Sequence, residues 1–376
     1  MADARHVLIA GASGVIGSAA VELFGRTPGW HVTAMSRRRP FVPQDTQFEH
    51  FSIDLRDAGA CRSAIAPLPP VTHVIYAAVS EAPGLVSGWQ DAKLIAENGR
   101  MFANLLTPLA KAGTLSHVSL LQGTKAYGVH LRPVDMVPLR EDIPRDDHAN
   151  FYWLHEDCAR DLGARHGFDF TAFRPQVLLG TAPGAVMNPV AAIGAYAALC
   201  HELSLPLVLP GESEALSEMV DAELMAQAFL WAAEASEAAN RTFNLTNGDI
   251  FVLRHAWPDV ADALGLATTG DAPETFSTFF ARPEVQSAWT VLARREGLAL
   301  ERLDDLLGES HHYIDLLLGA GIASKQTPAL VSTIAIRQAG FNACRDSRDS
   351  LIRQLGRMVD LRLLPPMGRV RSGEIA

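Results

Sequence analysis

Lysine is scarce in this chain: it occurs only at positions 93, 111, 125 and 325, and arginine supplies most of the positive charge. Acidic residues outnumber basic ones, 42 to 32, giving a formal net charge of -10 and a pI near 5.7. Such a surface does not draw DNA, RNA or anionic lipid by charge, so neither nucleic acid nor membrane is an expected partner. The four cysteines, Cys61, Cys158, Cys200 and Cys344, stand far apart with no Cys-x-x-Cys pair. That is neither a disulfide framework nor a zinc pattern, and it suits a reducing compartment. His148, His155, His311 and His312 lack metal-ligand spacing with any cysteine or carboxylate motif, so no metal is expected. The longest apolar run, Val190 to Cys200, is too short to cross a bilayer, and no charged region precedes a long apolar core at the N-terminus. The expectation is a cytoplasmic chain, neither exported nor membrane-spanning. Internal repeats and low-complexity linkers are also missing.

What is present is enough apolar residue for a large core. The chain has 376 residues, 48% of them hydrophobic and 20% charged, and exceeds the size at which a single core keeps growing. Short apolar runs at His6 to Ala10, His31 to Met35, Thr46 to Ile53, Thr72 to Ala78, His117 to Leu121 and Asp169 to Phe173 read as strands. Helical stretches from Ser18 to Phe24, Asp57 to Ala66, Trp89 to Ala112 and Phe151 to Arg165 lie among them. Strands alternating with helices predict a parallel sheet covered on both faces, with the ligand beyond the carboxyl ends of the strands. The fold class is therefore α/β, a Rossmann-type doubly wound parallel sheet with a smaller, mainly helical C-terminal substrate domain. Residues 1–180 form the expected nucleotide-binding domain and 181–376 mainly the substrate domain. Helical stretches near 186–200, 221–235, 255–264 and 286–296 belong to the latter, while 240–265 is expected to return to the main sheet.

Glycines 11, 14 and 17 follow the first strand directly, in the segment Gly11-Ala-Ser13-Gly14-Val15-Ile16-Gly17. A tight turn there brings the backbone close to a pyrophosphate, whose charge meets unpaired amides and the positive end of the next helix. Gly11, Ser13, Gly14, Val15, Ile16 and Gly17 are the expected phosphate contacts. At the end of the second strand, where a carboxylate would bind the ribose 2'-hydroxyl of NAD, the chain carries Ser36-Arg37-Arg38-Arg39. Ser36, Arg37 and Arg38 suit a 2'-phosphate and predict NADPH/NADP+ as cofactor. The plain competing reading is a solvated basic run. Asp54 and Leu55, ending the third strand, can contact the adenine, and Ala77, Ala78 and Val79 leave room for the cofactor beside the fourth.

Ordinary short-chain dehydrogenases place tyrosine and lysine one helical turn apart, as Tyr-x-x-x-Lys, so that the lysine lowers the tyrosine pKa. None of the five tyrosines, at 76, 127, 152, 196 and 313, has a lysine four positions later. Lys125 lies just past the fifth strand in Leu120-Leu-Gln122-Gly-Thr-Lys125-Ala-Tyr127, where a side chain can face the nicotinamide. Tyr152 opens the next helix in Asn150-Phe151-Tyr152-Trp-Leu-His-Glu156-Asp157, with Glu156 and Asp157 read as structural or helix-surface charges.

These two segments resemble those of the progesterone 5β-reductase and iridoid synthase-like enzymes, atypical extended short-chain dehydrogenases with LQTGxKHY-like and NFYYxLED-like segments. The likeness continues through Arg174-Pro175, Met187-Asn188, Phe243 to Phe251, Arg295 to Leu298 and Gly340 to Asn342. It departs from the family in the order Gln122-Gly123-Thr124 and in Ala126, which stands where the family has histidine. The resemblance implies Lys125 and Tyr152 as the catalytic pair. It also implies cofactor contacts at Gln122, Tyr152, Pro175, Leu178, Ala185, Val186 and Met187, and a substrate pocket including Tyr127, Phe151 and Met187. The implied reaction is NADPH-dependent 1,4-reduction of a small apolar enone, by a homodimer. Carbonyl reduction, sugar-nucleotide epimerisation or dehydration, and noncatalytic NADP sensing are the alternatives.

Overall fold

The strand runs and the helical stretches between them become elements in a computed structural model that describes residues 5–82, 85–211, 214–273, 275–319 and 328–370. The strands are β1 (Arg5–Ala10), β2 (Trp30–Ser36), β3 (Glu49–Ser52), β4 (His73–Tyr76), β5 (His117–Leu121) and β6 (Asp169–Pro175). They continue with β7 (Val177–Leu179), β8 (Leu216–Ser217), β9 (Met219–Asp221), β10 (Arg241–Leu245) and β11 (Phe251–Val252). The helices that position the site are α1 (Val15–Arg26), α2 (Ala58–Ile65), α3 (Ala92–Lys111) and α4 (Phe151–His166), followed by α5 (Val190–Glu202) and α6 (Ala222–Ala232).

Seven strands form one parallel sheet in the order β10-β6-β5-β4-β1-β2-β3, the doubly wound arrangement with its crossover beside β1. Val7, Leu8, Ile9 and Ala10 are fully buried, as a central strand covered on both faces requires. Ala10 pairs with both Met35 and Tyr76, so the carboxyl ends of β1, β2 and β4 finish level. β3 is shorter than the run from Thr46 to Ile53. The amides of Thr46 and Gln47 turn instead to Pro43 and to Gly25 at the end of α1. α3 begins later than Trp89 because the Asp91 carboxylate accepts the amides of Lys93 and Leu94, capping the helix there, while Leu85–Gln90 form a 3-10 turn.

The described chain divides into two compact units. The first holds the described residues of 1–176, 222–246 and 329–343; the second holds those of 177–221, 247–328 and 344–376. Residues 222–239 and 329–343 thus join the first unit from within the stretch expected to be the substrate domain. Of the stretch 240–265, expected to return to the main sheet, 240–246 lies in the first unit through β10 and 247–265 in the second. The cause is packing. α6 is almost wholly apolar, lies against α1 and buries Phe229 against Phe173 of β6. Trp231 on the same helix stacks on Phe341 at 5.6 Å, which holds 329–343 to this unit.

The second unit is built on α5, the longest apolar run, whose residues Val190 through Cys200 are all buried. Helices at 283–296, 303–307, 310–317 and 347–360 pack around it. Buried Asp221 accepts from Gln354 and pairs with Arg353. Among the described residues, no helix is long and apolar enough to cross a membrane.

Candidate active site

The turn after β1 is fixed by backbone bonds: the amides of Gly11 and Ala12 donate to Met35 O, and that of Gly14 to Gly11 O at 3.0 Å. Gly11 sits at φ +80°, a left-handed conformation, and a Cβ there would meet the Ala77–Ala78 peptide at 2.6 Å. A Cβ on Gly17 would overlap the Gly11 carbonyl. Gly14 caps α1 with no side-chain bond, so among the described residues no side chain covers the first-turn amides of Val15 and Ile16. A bare helix start behind a turn that excludes Cβ atoms is the shape a dinucleotide pyrophosphate needs, and the residues present fit that group.

Around this turn stand the other strand ends. The Ser36 hydroxyl donates to Arg38 O at 2.6 Å and that of Ser52 to Arg37 O at 3.0 Å, pinning the backbone while the Arg37 and Arg38 side chains stay exposed. Asp54 is pushed down to about 2 by Arg56, whose guanidinium and amide both donate to it, and the charge of Arg37 adds to the effect. Leu55 is buried, and its carbonyl accepts from Asn104. Ala77 and Ala78 are half-buried and Val79 exposed. The loop they begin is tied to α3 by buried Asn98, which bonds both the amide and the carbonyl of Ser80.

Lys125 and Tyr152 lie in this same unit, and Asn150 joins their segments. Its side-chain oxygen caps α4 by accepting from the Tyr152 amide at 3.0 Å, and its nitrogen donates to Lys125 O at 3.3 Å. The Tyr152 hydroxyl stands over Gly123: a Cβ on that glycine would lie 3.2 Å from it. The Lys125 ammonium lies 4.3 Å from the Trp89 ring centre. Burial lowers the pKa of Lys125 and the charge of Glu81 opposes the shift; burial raises that of Glu81 against the pull of Lys125.

Beneath the pair runs a buried polar network. The Gln122 amide nitrogen donates to Glu156 Oε1 at 2.8 Å, and its oxygen accepts from Arg174 Nε at 3.0 Å. Both ends of the expected cofactor ligand Gln122 are thus engaged by protein. Tyr127, expected in the substrate pocket, donates its hydroxyl to Asn244 at 2.6 Å and packs against Val134, Leu139 and Val331. Phe151 is half-buried and stacks edge-on to Tyr152 at 4.7 Å. Pro175 ends β6, and its carbonyl would lie 3.7 Å from a Cβ on Gly123. Leu178 belongs to the second unit, paired with Val220, as do Ala185, Val186 and Met187, half-buried in the loop before α5.

Asn98, Gly123, Glu81, Trp89 and Arg174 had no site role in the sequence analysis, and only Asn98, a polar residue on the apolar face of α3, and Arg174, a charge near the end of β6, left a signal.

The pattern of the NAD dependent epimerase/dehydratase family matches residues 7–246. (S)-8-oxocitronellyl enol synthase of Antirrhinum majus is 28% identical over 95% of this chain and 92% of its own length. The 3-oxo-Delta(4,5)-steroid 5-beta-reductase of Arabidopsis thaliana is likewise 28% identical, over 95% of this chain and 92% of its own. Among solved structures, the Bordetella bronchiseptica enzyme WbmG in complex with NAD is similar in fold, with a TM-score of 0.62 at 13% identity over 96% of each chain.

Proposed function

The chain belongs to the NAD dependent epimerase/dehydratase family, and from that premise we propose that it is an NADPH-dependent reductase of the C=C bond in α,β-unsaturated carbonyl compounds. The carrying observation is that Asn150 ties Lys125 and Tyr152 together from separate segments, while the position one turn after Tyr152 holds Glu156. The two relatives support the reading. A 3-oxo-Δ4,5 steroid is itself an α,β-unsaturated ketone, and hydride addition at a β carbon leaves an enolate, which becomes an enol by gaining a proton at oxygen or a saturated carbonyl compound by gaining one at the α carbon.

When bound, the dihydronicotinamide supplies a hydride. The work of the chain is to hold the carbonyl oxygen, on which negative charge grows as the π electrons shift toward it. The Tyr152 hydroxyl donates a hydrogen bond to that oxygen, and the Lys125 ammonium, partly shielded from water, adds positive potential beside it. In conjugate addition the accepting carbon is two bonds from the carbonyl carbon. A tyrosine not linked to a lysine one turn away can be set back to match. Small apolar enones are the substrate class. The test is turnover of NADPH with cyclic and open-chain enones, using cofactor labelled with deuterium in the transferred position. Label at the β carbon of a saturated ketone is expected. Label at the carbonyl carbon of an allylic alcohol would mean 1,2-reduction and overturn the reading, and tight NADPH binding with no consumption would leave a sensor.

Cofactor choice rests on Arg37 and Arg38. Charged hydrogen bonds contribute about 1.5–3 kcal/mol each, less where solvent screens them. Arg37→Gln with Arg38→Gln is therefore expected to raise the KM for NADPH about 10–100-fold and that for NADH less than about twofold. Steady-state kinetics with both cofactors checks this, and equal effects would remove the 2'-phosphate assignment.

A further inference from the structure

Glu156 occupies the place, one turn after the tyrosine, where ordinary short-chain dehydrogenases carry their lysine. We propose that Glu156 is a positioning residue: clamped by Gln122, Arg174 and Arg145, it sets the height of α4 above the sheet and so fixes where the Tyr152 hydroxyl stands. The inference rests on the reading that this hydroxyl holds the substrate carbonyl.

The geometry is that of a brace with three arms. Oε1 of Glu156 accepts from Gln122 at 2.8 Å and from Arg174 at 3.3 Å, and Oε2 accepts from Arg145 at 2.5 Å. Gln122 follows β5, Arg174 lies in β6, and Arg145 comes from the loop before α4, so one carboxylate joins the helix to two strands and a loop. The side chains of Glu156 and Arg174 are each only 6% exposed. The Arg174 guanidinium also lies 5.0 Å from the Tyr127 ring and 5.7 Å from that of Trp153, while Arg145 faces Trp153 at 4.9 Å and binds Asp157 at 2.8 Å. On the sheet side Gln122 and Arg174 hold each other at 3.0 Å and Arg174 also rests on Tyr127, whereas the further contacts of Arg145, to Trp153 and Asp157, lie on α4 itself.

Stability alone is a poor reason for such a cluster, because apolar side chains of similar volume serve a core as well or better. What a buried, directional network adds is a single register. An apolar contact would let α4 slide by a fraction of an ångström along the sheet. The brace does not, and the hydroxyl whose place matters is one turn away, over the close approach of Gly123.

Glu156→Asp keeps the charge and draws the carboxylate back by one methylene. It is expected to lower kcat with an enone about 10–100-fold while the KM for NADPH stays within about twofold. Amide hydrogen exchange at residues 150–157 should quicken, with that of β1 and α1 unchanged. Gln122→Met, which removes only the neutral arm, should give a smaller change of the same kind. Wild-type kcat in Glu156→Asp, or exchange that quickens evenly across the unit, overturns the proposal, since an even change marks a merely structural charge. Should the wild-type enzyme turn over no enone, the reaction reading fails, yet exchange at 150–157 still decides the brace.

Discussion

Tyr152→Phe is expected to lower turnover of an enone about 100–1000-fold while leaving the dissociation constant of NADPH within about twofold. The loss corresponds to about 2.7–4 kcal/mol, the usual consequence of deleting one donor aimed at a developing oxyanion. The ring remains in the variant, packed with Ala126, Trp153 and half-buried Phe151, so the start of α4 keeps its apolar anchor. Asn150 continues to cap the helix through the backbone amide of residue 152, a bond indifferent to the side chain. The phosphate turn at β1 and the arginines at β2 lie at other strand ends, which is why binding is spared. Stopped-flow turnover together with cofactor titration by fluorescence separates the two quantities. A variant retaining more than about a tenth of the wild-type rate would show that the hydroxyl does not hold the carbonyl, a smaller cost than any oxyanion donor carries.

The parts of this site that were legible in the sequence share a local cause. Glycines 11, 14 and 17 announce themselves because turn, close approach and helix start fall within seven residues. Lys125 and Tyr152 stood out through an absence, since no tyrosine has a lysine four residues on. The alternation of short apolar runs located the six strands from β1 to β6, because each strand is written in consecutive residues.

The brace was not legible in this way. Glu156 and Asp157 read together in the sequence as structural or helix-surface charges, with nothing to tell which is which; Asp157 is exposed and Glu156 buried. Only the arrival of Arg174, 18 residues later on an adjacent strand, makes Glu156 a buried charge. Asn150 could be read as a helix cap, but its second bond to Lys125 O depends on how a loop of some 20 residues returns, which no periodicity encodes. The same holds for residues 329–343, carried to the first unit by the Trp231–Phe341 contact, by Gln176 donating to Ala329 O, and by backbone bonds that Leu139 makes with Leu330 and Ser332.

Gly17→Ala is expected to weaken NADPH and NADH alike, by about 10–100-fold, and to cost about 1–3 kcal/mol of stability. Gly17 lies in the first turn of α1 with an ordinary helical backbone, so conformational freedom is not its reason for being glycine. Space is. An added Cβ would overlap the Gly11 carbonyl oxygen and lie 2.7 Å from its carbon and 2.8 Å from Ala12 Cα, all backbone atoms. That backbone cannot retreat cheaply, because Gly11 and Ala12 both donate to Met35 O, and Gly11 already faces the Ala77–Ala78 peptide. The strain must move α1 away from the turn, and with it the amides of Val15 and Ile16 aimed at the pyrophosphate. Since NAD and NADP share that group, both lose affinity equally, unlike the NADPH-selective loss expected from the arginine pair. Gly14→Ala supplies the control: its φ is −81°, and an added Cβ would meet only Gly11 O, at 3.3 Å, so binding should fall no more than a few-fold. Calorimetric titration of both cofactors against both variants, with thermal melting of each, reads the difference. If Gly17→Ala bound as well as Gly14→Ala, the approach of α1 to the turn would not be what builds the cofactor site.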